Sequence, residues 1–513
     1  MTDPRPAGDR VLVVGLDMGD AELIRYWADR GRLPHLASLI TSGAWIDLQS
    51  TAEVLHTSTW PTFATGSLPG KHGVYYPYQP RPGQQLASFI SPDQYGTGTF
   101  WSAADAAGRS VVVYDIPETF PENGFGGRAV FDWGTWAWYG TPASQPAELL
   151  KDLKRRFGAY PLGYEAKRLG LAHPSGIEPR LVRSIEYKSR TTRWMLEEHD
   201  WDLAVVGLCE THSGGHYLWP AGVEGIGRAP EAAFTPLLHV YAAVDRAIGE
   251  LQTALPSGGS MLVVSGDGVR PNRSGWHLLP GILERLQYTV SSAATAGSGP
   301  VQPRSLLSRA QAIVPSGVKR QIAASLPWRL RDQLGMRAQA ASINWAKTRA
   351  FTLPTDLEGC IRINLKGREP SGIVEPAQYA DLCREIRAAL EELVNPATGA
   401  PAVHRVWIRN DVFPGAMQEH LPDVIVTWSD EAAIEAVTSP RVGRLEGVNP
   451  DQRTGTHSRS GFLIANGPGI PRSLGGRACL TDVAPTVMKL LGLDLPAADG
   501  SPLQSRAAAD DRG

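Results

Sequence analysis

Two histidines at positions i and i+4, His212 and His216, follow an apolar run from Leu203 to Leu208, in the segment Cys-Glu-Thr-His-Ser-Gly-Gly-His. On a helical turn this spacing puts both imidazoles on one face, where they can bind one zinc ion. Gly214 and Gly215 between them argue against a regular helix and for a loop shaped around a ligand. Glu210 adds a carboxylate at the same strand end. Two more carboxylates hold equivalent places. Asp17 ends the apolar run Val11 to Leu16, and Asp267 follows Met261 to Val264 within Ser-Gly-Asp-Gly, with Asn272 and His277 in reach of that loop. A carboxylate at a strand end either binds a cation or substrate, or caps the next helix. His457 lies in Gly-Thr-His-Ser, in an expected turn.

The stretch from His56 to Gly73 is rich in hydroxyls and also carries Lys71 and His72. Thr57 and Ser58 precede an apolar helical turn, a place where hydroxyls cap free N–H groups and anions collect. Lys71 and His72 sit in the closing Pro-Gly turn and either contact a substrate or belong to a surface loop. Arg368, in Lys-Gly-Arg-Glu, suits either a bidentate anion contact or a salt bridge with Glu369.

Such residues need a scaffold that gathers strand ends. Apolar strands alternate with helical patterns along most of the chain, as in Val11 to Leu16 followed by Leu23, Ile24, Trp27, Leu33, Leu36 and Leu39. This predicts an α/β fold with a central, mostly parallel sheet between helices, ligands sitting at the carboxyl strand ends. Residues 120–180 read as loops and short helices, with aromatics that either stack a planar group or pack. Over 279–348 the alternation lapses, and a helical insertion or lid is expected, with helical spacing around Val314 to Leu334. Its Lys319, Arg320, Arg329 and Arg331 face either solvent or an anion. The catalytic domain is then expected over 11–278 and 349–496, with flexible ends at 1–10 and 497–513.

A chain of 513 residues exceeds one ordinary core, so an elaborated domain or two domains is expected. Hydrophobic content of 42% with 20% charged residues is globular, and a net charge of −2 argues against a nucleic-acid surface. Four widely spaced cysteines form neither a disulfide framework nor a thiolate zinc site. The first residues lack the apolar core of a signal peptide, and no run of about 20 apolar residues exists, so no membrane association and cytoplasmic residence are expected.

Several short motifs, in this order and spacing, resemble the alkaline phosphatase superfamily in its type I phosphodiesterase/nucleotide pyrophosphatase branch. They are Val-Val-Gly-Leu-Asp at Asp17, Arg-Leu-Pro-His-Leu, Trp-Pro-Thr-Phe-Ala-Thr-Gly, Pro-Gly-Lys-His-Gly and the His212/His216 pair. Val-Val-Ser-Gly-Asp-Gly, Gly-Thr-His at His457, Ala-Asn-Gly-Pro-Gly-Ile and Asp-Val-Ala-Pro-Thr-Val complete the set, over nearly all of residues 11–493. The resemblance implies an alkaline-phosphatase-like sheet, a pair of zinc ions, and a Ser or Thr that attacks phosphorus before water releases the product.

Carried over residue by residue, it implies Asp17, His216 and His457 as metal ligands, with three departures. The nucleophile register falls on His56. A shift of one residue makes Thr57 the nucleophile and a metal-held hydroxyl, with His56, Ser58, Lys71, His72, Asn272 and Arg368 as lesser substrate contacts. His212 stands where an Asp is usual. Ser-Gly-Asp-Gly replaces Ser-Asp-His-Gly and leaves Asp267 as the ligand there. His212, His216 and His457 would then form a strong zinc site. Asp17, Thr57 and Asp267 would hold Mg2+ or Mn2+ weakly, or no ion. The expected activity is metal-dependent hydrolysis of a small-molecule phosphodiester, pyrophosphate or related ester. A group transferase or lyase and a non-catalytic binding homologue are the alternatives.

Overall fold

The computed structural model describes residues 10–134, 142–162, 174–292, 337, 340–451, 453–468, 470–472 and 477–503. A nine-stranded sheet runs from edge to edge as Arg477–Cys479, Ala44–Gln49, Ser460–Asn466, Ser260–Ser265, Val11–Leu16, Leu203–Leu208, Val111–Tyr114, Arg128–Phe131 and Ala143–Gln145. The five strands from Ser260–Ser265 to Arg128–Phe131 are parallel. Ser460–Asn466 and Ala143–Gln145 run antiparallel to their neighbours. Val11–Leu16, Leu203–Leu208 and Ser260–Ser265 are buried along their whole length. Burial on both faces is why these stretches are aliphatic without alternation.

Helices cover both faces. Leu12, Val14 and Val206 meet the helices Ala21–Ala28, Pro174–Glu198 and Thr235–Gln252 on one side. Val11, Val13 and Val205 meet Thr59–Thr65, Phe100–Ala106 and Val483–Leu490 on the other. Because the central strands are parallel, Asp17, Asp115, Cys209 and Ser265 all fall at their carboxyl ends, on one side of the sheet.

The strands expected after residue 349 pair with one another and not with the main sheet. Ala350–Thr352, Gly359–Ile363, Val424–Trp428 and Val403–Ile408 form a four-stranded antiparallel sheet. Ile361 and Ile363 pack with Ile386 and Leu390 of the helix Tyr379–Glu391, while Cys360 faces a separate cluster with Phe351 and Ile425. Side chains that alternate between two apolar clusters bury both faces of this strand.

Other expectations shift. Within 120–180, Arg128–Phe131 and Ala143–Gln145 are sheet strands, and a long helix starts at Pro174. Residues 497–503 are docked. The Asp499 amide donates to Gly66 O at 2.9 Å, Leu68 N donates to the Asp499 carboxylate at 2.8 Å, and Leu503 is buried. Within 279–348, Leu279–Arg285 is a helix in the core of the second sheet. Residues 314–334, with their four cations, lie outside the described residues, as do 1–9 and 504–513.

Candidate metal centre

His212 and His216 lie on the helix Glu210–Leu218, not in the loop that their intervening glycines suggested. The glycines serve close packing instead. A Cβ on Gly215 would come 2.8 Å from Met18 Cε, and one on Gly455 would come 2.1 Å from Gly215 O. Backbone contact of this kind outweighs the modest helix cost of glycine. His457 is on a short strand, Gly455–His457, not in a turn, and that strand pairs antiparallel with Val269–Pro271. This pairing draws His457 to the Asp267 loop.

The ligand nitrogens of the buried His212, His216 and His457 lie within 4.8 Å of one another. The Nε2 atoms of His212 and His216 are 3.1 Å apart. His216 Nδ1 donates to Gly455 O at 2.9 Å, and His457 Nδ1 donates to Asp267 Oδ2 at 2.6 Å. An acceptor on Nδ1 fixes the tautomer and leaves the Nε2 lone pair for an ion. Burial lowers the pKa of His212 to about 4 and holds His216 and His457 well below the usual histidine value, so all three are neutral at pH 7. Three neutral imidazoles at this spacing fit zinc.

The residues expected to form a second site are arranged differently. Both Asp267 oxygens are engaged, one by His457 and the other by the Met18 amide at 3.1 Å, so Asp267 orients a histidine. Burial raises its pKa to about 7. Asp17 is buried, and its charge acts on His212 and Glu118. The Thr57 hydroxyl donates to the Tyr75 carbonyl. His56 reaches the cluster instead, its ring stacked on His457 at 3.9 Å.

Ligand atoms of His56, Asp356 and His457 form a second converging group within 4.8 Å. Among the described residues, neither converging group includes Asp17. His56 Nδ1 bonds the Glu358 carboxylate, and its Nε2 lies 3.3 Å from Asp356. Desolvation opposes charge on His56, but Glu358 and Asp356 prevail and raise its pKa to about 10. Arg453 is bidentate on Asp356 at 2.5 and 3.1 Å, pairs with Asp451 at 2.8 Å, and approaches His216 Nε2 to 3.3 Å.

Asp356, Glu358 and Arg453 escaped the sequence reading. Arg453 stands just ahead of Gly-Thr-His and was open to notice there. The two carboxylates come from the segment before Gly359–Ile363 in the second sheet, with no local signal.

The remaining candidates have other partners. Ser58 donates to Leu55 O at 2.7 Å. His72 is fully buried, 3.1 Å from the Thr62 hydroxyl and accepting from Val74 N at 3.1 Å, and desolvation pushes its pKa down to about 3. Lys71 pairs with Asp499 of the docked C-terminal segment. Asn272 donates to Asp451 at 3.2 Å and to Arg453 O at 3.0 Å, so it holds the Arg453 loop. Arg368 takes the salt-bridge alternative, bound to Asp423 at 2.6 and 2.8 Å and to Glu369 at 3.0 Å. Glu210 accepts from Tyr160 and lies 3.5 Å from buried Lys188, which also pairs with Asp115 at 2.8 Å.

The chain is similar to several solved structures. Phosphonoacetate hydrolase from Sinorhizobium meliloti 1021, in complex with phosphonoformate, is similar with a TM-score of 0.52 at 14% identity, over 94% of this chain and 95% of that one. Its complex with phosphonoacetate gives 0.53 at 14% identity and the same coverage. Murine ectonucleotide pyrophosphatase / phosphodiesterase 5 in complex with AMP gives 0.46 at 12% identity, over 96% of this chain and 97% of that one. At 14% identity the likeness to the hydrolase shows the fold alone. No curated protein sequence matches the chain. The sequence profile described as type I phosphodiesterase / nucleotide pyrophosphatase matches residues 11–458, and the chain belongs to that family.

Proposed function

We propose that the protein is a metal-dependent hydrolase of a small-molecule phosphodiester, pyrophosphate or related phosphate ester, working through a remodelled centre with one strong metal position. The observation that carries this is the convergence of three neutral, buried imidazoles, two of them with Nδ1 tied to an acceptor. A divalent ion there, zinc by the chemistry of the donors, would polarise a phosphoryl oxygen and acidify water. His212, His216 and His457 hold it, and Asp267 and the Gly455 carbonyl keep two of the rings in register.

The cleft beside them lies between the two sheets and includes His56, Arg270, Glu358, Trp428, His457 and Arg459 in its lining. Arg270 and Arg459 both pair with Asp430 of the same lining, so an anionic substrate would share them with that carboxylate. Water is the attacking group in this reading, because the Thr57 hydroxyl is bound to Tyr75 O and His56 fills the family's nucleophile register. Cytoplasmic residence belongs to the same proposal. It is supported by four free cysteines. Among the described residues, no helix is long and apolar enough to cross a membrane.

The test is turnover of aryl phosphomonoester, phosphodiester and sulfate substrates, with and without chelator, with phosphonoformate and phosphonoacetate (ligands of the similar hydrolase) tried as inhibitors. Chelator-sensitive phosphoester turnover, retained in Thr57→Ala, is expected. Turnover that Thr57→Ala abolishes would restore the covalent route. No turnover by zinc-loaded protein would overturn the hydrolase reading. One observation favours a second reading, a binding homologue without metal: Arg453 already occupies Asp356 and touches His216 Nε2. That protein would bind phosphate esters equally well with chelator present and turn over none.

A further inference from the structure

We propose that Asp356, delivered from the second sheet, is the fourth ligand of the metal centre, and that Arg453 is its resident counter-ion, displaced when a metal binds. The inference rests on the metal-dependent reading above. Three imidazoles leave one corner of a tetrahedron open. Asp356 stands beside that corner: it converges with His56 and His457, and Arg453 bridges it to His216. Its ligand oxygen falls within 4.8 Å of the ligand nitrogens of His56 and His457, and its charge acts on His212, His216 and His457 alike.

Arg453 marks where a cation belongs. A single guanidinium nitrogen, Nη1, lies 3.1 Å from Asp356 Oδ2 and 3.3 Å from His216 Nε2. The Nδ1 proton of His216 is committed to Gly455 O, so its Nε2 faces Arg453 as an acceptor. Arg453 therefore engages the same two lone pairs that a metal would take. A buried carboxylate without a cation is costly, and the guanidinium supplies one while the metal is absent.

The surroundings keep this exchange local. Asp451 retains the other edge of Arg453 at 2.8 Å, and Asn272 holds the backbone of the loop through Arg453 O at 3.0 Å. Asp451 therefore remains a partner for the guanidinium once Asp356 is released. On the opposite side, His56 lies 3.3 Å from Asp356 and is itself fixed by Glu358, which orients the carboxylate. On binding, Asp356 gives up two guanidinium contacts and His216 one in exchange for the ion, and no proton or covalent bond changes hands at Asp356.

Zinc titration calorimetry on the full chain after chelator dialysis tests this, with cobalt absorption spectra as a second readout. The wild type is expected to bind a single tight ion. Asp356→Asn should weaken zinc binding by about tenfold or more and change the cobalt bands, since a ligand should matter at least as much as an outer partner. Arg453→Gln should tighten it, because the competitor is gone, whereas a purely structural arginine would leave affinity unchanged or lower. Wild-type affinity and an unchanged cobalt spectrum in Asp356→Asn would overturn the proposal while leaving the three-histidine site intact. Absence of zinc binding by the wild type would remove the metal reading as well. If Asp356→Asn fails to fold, Arg453→Gln decides, and unchanged or weaker binding there overturns the proposal.

Discussion

Two buried ionic clusters in this molecule are built on opposite plans. In the second sheet, Arg362, Arg368 and Arg409 surround Asp423 and Glu369. Arg362 meets Glu369 at 2.7 Å, Arg409 meets Asp423 at 3.0 Å, and the Tyr379 hydroxyl adds a bond to Asp423 at 2.9 Å. Despite desolvation, the arginines hold the Asp423 carboxyl well below its usual range. At the main-sheet strand ends, by contrast, two imidazole nitrogens face each other. His216 keeps its proton on Nδ1, so the 3.1 Å contact to His212 Nε2 is favourable only if His212 donates or a cation comes between. The first cluster is complete without a ligand. In the second, Arg453 holds the Nε2 lone pair of His216 that the proposed function would give to an ion.

The largest effect should come from the complete cluster. Asp423→Ala leaves several buried guanidinium groups without their carboxylate and should cost about 3–5 kcal/mol in denaturant unfolding, with zinc stoichiometry unchanged. Next, His216→Ala should lower phosphoester turnover and zinc affinity by more than about 100-fold, beyond the range for outer partners, with little loss of stability. If His216→Ala destabilises the chain as much as Asp423→Ala, the contrast between the clusters is lost. Asp267→Asn should weaken zinc binding by roughly 10- to 100-fold through misorientation of His457, and an unchanged affinity would make Asp267 a bystander.

The effect that is smallest at neutral pH, and grows only on acidification, concerns a buried imidazole outside the cluster. The pKa of His72 is about 3 when folded against 6.5 for an ordinary histidine, so the unfolded chain binds the extra proton between those values. Its contribution to stability is therefore present above pH 6.5 and lost as pH falls towards 3, with a slope of up to about 1.4 kcal/mol per pH unit. His72→Gln should reduce the slope of unfolding free energy against pH by that amount. An identical slope would assign acid sensitivity to the metal-site histidines.

Much of the scaffold was legible because burial on both faces leaves an unmistakable aliphatic run, and a chemistry-bearing residue at the end of each run declares itself. The three histidines were found on that logic together with the family motifs. What stayed hidden depended on distant partners. Asp356 and Glu358 carry no local pattern, and Glu358 meets His56 across 302 positions of sequence. Arg368 offered two readings until Asp423, 55 positions away, settled the choice. Gly214 and Gly215 suggested a loop because their propensity is local, whereas the neighbours that leave little room for a side chain there, Met18 and Val240, are distant in sequence. Strand periodicity identified 359–365 as a strand but could not say which sheet it would join.

The His56–Glu358 contact also bears on folding order. Closing a loop of 302 residues is slow relative to forming a helix or a neighbouring strand pair, so the contact is made late, after each sheet has its own core. An emerging chain would complete the His56 side of the metal centre only after the polypeptide between these residues had been made. On the proposed function, metal loading would then be an end-stage maturation event rather than a nucleus for folding.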